Sequence, residues 1–107
     1  AGVPASEGTV DAVAGANGNT DLTVRVKHLA LANRLASDAQ LYVVWVQPLN
    51  VAPQNVGVMT LDDSLVGELK TSTPHRNFTL LVTPEPNGQM NKPSHDPVFT
   101  ATVQRAD

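Results

Sequence analysis

Apolar residues make up 41% of this 107-residue chain and aromatic residues only 4%, so a core of Val, Leu and Ala has to supply the burial, roughly two-thirds of the unfolded surface for a chain of this size. The net charge of −3 and the scattered placement of the seven basic residues exclude the basic stripe of a nucleic-acid binder and a general attraction to anionic membranes. The absence of cysteine removes disulfides, thiolate zinc sites and cysteine nucleophiles together, and no apolar run approaches the ~18 residues that span a membrane.

Residues 1–7 read as a flexible N-terminal segment, and the small residues that open it suggest a trimmed start from which a signal or tether has been removed. Gly8 to Ala14 predicts a first strand with Val10 and Ala12 inward. Gly15 to Asn19 predicts a turn, because Asn and Gly tolerate positive φ. Asp21 to His28 alternates cleanly, with Leu22, Val24 and Val26 on one face and Thr23, Arg25 and Lys27 on the other, the pattern of a half-buried antiparallel strand. Leu29 to Asp38 fits either a helical turn or a packed loop.

Leu41 to Pro48 is an apolar, β-branched run that holds the only tyrosine and the only tryptophan, and it reads as a buried strand closed by a proline. Pro48 and Pro53 bracket a loop, Gln54 to Leu61 predicts a strand, Asp62-Asp63 a tight turn and Leu65 to Lys70 the hairpin partner. Thr71 to His75 is a connection. Asn77 to Thr83 alternates with Phe78, Leu80 and Val82 on one face, Pro84 to Pro97 is a proline-rich loop, and the last strand runs to Gln104 with Phe99, Ala101 and Val103 inward.

Seven short strands with Gly, Pro, Asn and Asp punctuation predict a single all-β domain over residues 1–107, a seven-stranded antiparallel sandwich of immunoglobulin-like outline; a closed barrel is the competing architecture. The inter-sheet disulfide of antibody domains has no counterpart. Trp45 is expected in the core, sharing an inward face with Leu41 and Val43. Tyr42, Val44 and Val46 then fall on the outer face, where three apolar side chains in a row form a patch that monomers hide. That patch is a possible interaction face for a protein partner, unless Leu29 to Leu35 folds over it as a flap and keeps the chain monomeric.

Groups able to carry chemistry are sparse. His28, His75 and His95 do not stand at metal-ligand spacing, although Met90 and Asp96 lie near His95, and no metal or other cofactor is expected. Asp62-Asp63-Ser64 is too short a run for the oxygens calcium needs. Glu68, Glu85 and Asp96 are separate carboxylates that nothing orients for acid–base work, and the sequence has no nucleophile elbow or phosphate-binding glycine loop. The formal sequon Asn77-Phe78-Thr79 falls in a strand, and a strand tryptophan beside Val43 and Val44 reads as core rather than as a sugar-stacking platform. No catalytic residue is assigned.

Three spaced features remain: Tyr42-Val43-Val44-Trp45 on one strand, Val56-Gly57-Val58 on the next, and a strand led by Phe78 that ends in Thr83-Pro84-Glu85-Pro86, followed by Pro93-Ser94 and a final strand through Val98 to Val103. In order and spacing these resemble the C-terminal extracytoplasmic β-sandwich domain of anti-sigma-K-type factors, over about residues 39–104. The family's helical sigma-binding domain and membrane helix have no counterpart here, its late glycine pair is reduced to Asn87-Gly88-Gln89, and residues 8–38 add strands without a match. The resemblance implies a bacterial, extracytoplasmic domain. The expected function is a non-catalytic exported binding or structural module. The alternatives are the sensory ectodomain of an anti-sigma-type envelope regulator and, third, an envelope hydrolase or metal-handling protein.

Overall fold

The computed structural model describes residues 7–27, 39–62 and 64–104. They form seven strands: β1 (Glu7–Ala14), β2 (Thr20–Lys27), β3 (Leu41–Gln47), β4 (Gln54–Leu61), β5 (Gly67–Thr73), β6 (Asn77–Glu85) and β7 (Phe99–Gln104). The only helical piece among the described residues is the 3-10 turn Ala16–Gly18, where Asn17 and Gly18 take positive φ, which asparagine tolerates and glycine, lacking a Cβ, adopts freely. The boundaries follow the alternation closely, with two extensions. β5 begins at Gly67 and runs on to Thr73, because Thr71 and Thr73 pair with Leu22 and Thr20 of β2. β6 continues through Pro84 to Glu85, pairing with Tyr42 and Leu41.

All pairings are antiparallel, in the order β1-β2-β5-β4-β3-β6-β7. β4 carries the sheet around the molecule: Gln54 to Met59 pair with β3, and Thr60 and Leu61 pair with β5. A bulge in β4 opposite Val44 and Trp45 sharpens this bend. It uses Gly57, whose φ of 143° disfavours any side chain, and the Asn55 carboxamide oxygen accepts the Gly57 N–H at 2.9 Å. The sheet therefore curls until β1 and β7 lie beside each other, a nearly closed, barrel-like form.

The core fills the inside of this sheet. Leu22, Val24 and Val26 of β2, Met59 of β4, and Phe78, Leu80 and Val82 of β6 are its buried members, each apolar side chain contributing about 1.5–3 kcal/mol by leaving water. Their β3 neighbours are Tyr42, Val44 and Val46. This corrects the face assigned to β3 from its own sequence. Val44 stands opposite Val82 and Val46 opposite Leu80, and residues opposite each other in a ladder share a face. Trp45 and Val43 are fully buried as well, but on the other side of the sheet, outside that core. The segment expected to act as a flap, Leu29 to Leu35, lies outside the described residues.

Candidate functional site

The outer side of β3 is where polar and apolar burial meet. Trp45 and Val43 share this face with Thr83 and Glu85 of β6, since Val43 pairs with Thr83 and Leu41 with Glu85. The connection from Pro86 to Val98 folds back over them. Two carbonyls, those of Gly88 and Met90, accept hydrogen bonds from the Asn55 carboxamide nitrogen at 3.0 and 3.1 Å. Gly88 lies directly on Val58, so closely that a Cβ there would collide with the Val58 side chain. Val98 rejoins the sheet by donating to the Val82 carbonyl at 2.8 Å.

Beneath this cover runs a buried hydrogen-bond chain. The Trp45 indole N–H donates to Thr83 Oγ1 at 2.8 Å, and the Thr83 hydroxyl donates to Glu85 Oε2 at 2.7 Å. Ser94 donates twice from the covering loop: its backbone N–H to Oε2 at 3.0 Å, and its hydroxyl to Oε1. The Gln40 N–H completes the junction by donating to the Glu85 carbonyl at 2.9 Å. Glu85 is wholly inaccessible to solvent, so these donors replace the water that an isolated carboxylate would require. The chain ties three distant pieces of sequence together at one carboxylate.

The other candidates are dispersed. Glu68 is exposed on β5 and lies 3.8 Å from Arg25, a solvent-screened pair on the far part of the sheet from Glu85. Asp96 is exposed in the covering loop, and His95 and Met90 are half-buried there. His75 caps the opposite end, its carbonyl accepting from the Thr20 hydroxyl at 2.8 Å and its Nε2 lying 3.0 Å from the Gln54 carboxamide oxygen. Among the described residues, no three His, Asp or Glu side chains converge on one point. Asp62 closes the β4–β5 turn, its Oδ1 accepting the N–H of Ser64 at 2.8 Å and of Val66 at 3.1 Å; His28 and Asp63 fall outside the described residues.

Tyr42, Val44 and Val46, expected as an interaction face, are 0% exposed members of the inner core and form no surface for a partner. Burial pushes the Tyr42 phenol up to about 12. Trp45 presents no ring to solvent. The Trp45–Thr83–Glu85–Ser94 chain is the feature that residue-by-residue reading missed. Its signal is the polar pair Thr83 and Glu85 at alternate positions of β6, whose last four residues are all buried.

Comparison of the chain with known protein families, with curated protein sequences and with solved structures gives no match.

Proposed function

We propose that this chain is a non-catalytic, extracytoplasmic β-sandwich module of immunoglobulin-like type that binds or supports another protein. The observation that carries the reading is the use made of Glu85. Among the described residues it is the carboxylate withdrawn from water, the setting in which enzymes prepare acids and bases, yet its oxygens are taken up by Thr83 and Ser94 in holding a loop to the sheet. The strand order supports the immunoglobulin-like assignment: β1-β2-β5-β4 follows the A-B-E-D sheet of such domains and β3-β6-β7 follows C-F-G, with β4 bridging the two.

A second reading, the sensory ectodomain of an anti-sigma-type envelope regulator, is favoured by one observation. The two segments that carry the family resemblance, Tyr42 to Trp45 and Thr83 to Pro86, meet in one hydrogen-bond chain that Ser94 extends. That common architecture also supports an extracytoplasmic address.

The test is turnover of chromogenic esters, phosphate esters and glycosides by the purified chain, alongside Glu85→Gln. We expect no hydrolysis above buffer with either protein. Hydrolysis that disappears in a Glu85→Gln variant of native secondary structure overturns the non-catalytic reading.

A further inference from the structure

At the end of β6 away from Glu85, the outer face of the sheet carries polar side chains in register across three strands. Gln47 of β3 stands opposite Thr79 of β6, and Thr79 opposite Thr102 of β7. One step further along, Asn77 stands opposite Gln104. These positions alternate with the inward residues Val46, Phe78 and Val103, so the five side chains share the outer face with Trp45. They floor a cleft of about 400 Å3. The turn Pro48–Val51 walls it. The Val51 N–H donates to the Pro48 carbonyl at 3.2 Å, and Asn50 supplies the positive φ, 62°, at the third residue of the turn, where asparagine is tolerated. The turn thereby fixes Leu49 at the rim, 86% exposed. None of the residues from Pro86 to Val98, which roof Trp45, lines this cleft.

We infer that this cleft is a binding site for a neutral carbohydrate. Among the described residues that line it, none carries a charge. Its polar side chains are carboxamides and hydroxyls, and each of these offers a donor and an acceptor together. None of the five has a hydrogen-bond partner among the described residues, so a ligand can engage them without breaking a bond of the fold. An anion only accepts and would meet carbonyl oxygens with no cation beside them; an ammonium group only donates and would find no carboxylate. A peptide strand would look for free main-chain groups, but β6 is laddered on both sides here, to β3 and to β7. The complement of closely spaced groups that donate and accept at once is a ligand of the same kind, and adjacent sugar hydroxyls are that. Leu49 and Pro48 add what a sugar also needs, an aliphatic surface against the C–H side of its ring. The volume lies within the range of small-ligand clefts and holds one or two pyranose rings. No aromatic ring is exposed in the cleft and its mouth is wide, so the affinity expected is weak, in the millimolar range.

The site goes beyond the proposed protein-binding role and does not depend on it: hydrolytic turnover refutes that role, whereas the experiment here reads only the cleft. The probes are maltose, cellobiose and N,N′-diacetylchitobiose, titrated to tens of millimolar into isotopically labelled protein and followed by NMR of the backbone amides and of the side-chain carboxamides. We expect saturable shifts with at least one of them, confined to residues 47–50, 77–79 and 102–104 and including the carboxamide signals of Gln47, Asn77 and Gln104. Asn77→Ala and Gln104→Ala, both at exposed positions, should each weaken binding about three- to tenfold through the loss of one hydrogen bond, with the urea midpoint unchanged. Leu49→Ser, which removes the aliphatic wall and keeps the turn, should weaken it by a similar factor. No saturable shift with any of the three sugars overturns the inference. So does an equal response to glycerol at matched hydroxyl concentration, which marks ordinary solvation, and so does tighter binding of glucose 6-phosphate than of glucose, which marks an anion site. Shifts at Leu49 and Val51 that grow with protein concentration in the absence of sugar also overturn it, since they assign the wall to contact with a second copy of this chain.

Discussion

Both faces of β3 are closed to water, but by different means. The inner face, Tyr42, Val44 and Val46, packs on side chains gathered from β2, β4 and β6, and its burial is overwhelmingly apolar. The outer face, Val43 and Trp45, is covered by the connection between β6 and β7 and stitched down by Thr83, Glu85, Ser94 and Asn55. The inner region is held by area, which is non-directional and spread over many residues. The outer region is held by a few directional bonds, so single substitutions there have outsized and local consequences. The contrast locates where this domain can loosen without unfolding.

The largest effect expected is that of Trp45→Ala. It removes the bulk of the outer cluster, leaves a cavity under the loop and strips the Thr83 hydroxyl of its donor. We expect a loss of about 3–5 kcal/mol in urea unfolding, comparable with that of a large inner-core residue. A cost below about 1 kcal/mol, the value of a surface substitution, would show that the loop does not enclose the ring. Next comes Glu85→Leu, which keeps an apolar volume but leaves the buried Thr83 hydroxyl without its acceptor and frees the exposed Ser94 from the sheet. The expected cost is about 2–3 kcal/mol, and a neutral result would mean that the outer region, too, is held by area.

The inner region has a chemical signature of its own. In the unfolded chain the Tyr42 phenol titrates near pH 10, and in the fold burial pushes it up to about 12. The folded state therefore disfavours the phenolate. Stability from this group is complete below pH 10 and drains as pH rises through the folded value, by roughly 2–3 kcal/mol between about pH 10 and 12. Tyr42 is the only tyrosine, so phenolate absorbance reads this site alone. In Tyr42→Phe that alkaline component should vanish, and a phenol that ionises near pH 10 in the folded protein would place Tyr42 in water.

What could be read from the sequence divides along the same line. β2 and β6 were legible because one face is apolar and the other polar, so the two-residue period carries a phase. β3 was legible as a strand, but its phase was not: every residue from Tyr42 to Val46 is apolar, and only the pairing of Val44 with Val82 and Val46 with Leu80 decides which set faces in. The end of β5 is not legible, because Thr71 to Thr73 look like a polar connection until β2 is beside them. The Glu85–Ser94 contact spans a loop rich in Pro and Asn, and its closure depends on the path of that loop and on Asn55, thirty-three residues away from Gly88 along the chain. Local propensity does not encode a contact of that kind.

The finest test of the contrast is Ser94→Ala. It deletes the hydroxyl donor to Glu85 Oε1 and leaves the backbone N–H donor to Oε2 in place, so the carboxylate keeps part of its satisfaction. The global cost should be only about 1–2 kcal/mol. Its distribution matters more than its size. If the outer region is a separately held layer, amide exchange should speed up between Pro86 and Val98 while the amides of β2 and β5, which share the inner core, keep their protection. Trp45 emission should shift slightly toward that of a wetter indole as the loop opens more often. Removing Asn55, the other anchor, should act on the same loop, and the two losses should couple, because each anchor keeps the loop in place for the other. If instead Ser94→Ala lowers protection evenly across β2, β5 and the loop, the two faces of β3 belong to one cooperative unit, and the directional bonds over Trp45 are part of the core rather than a latch upon it.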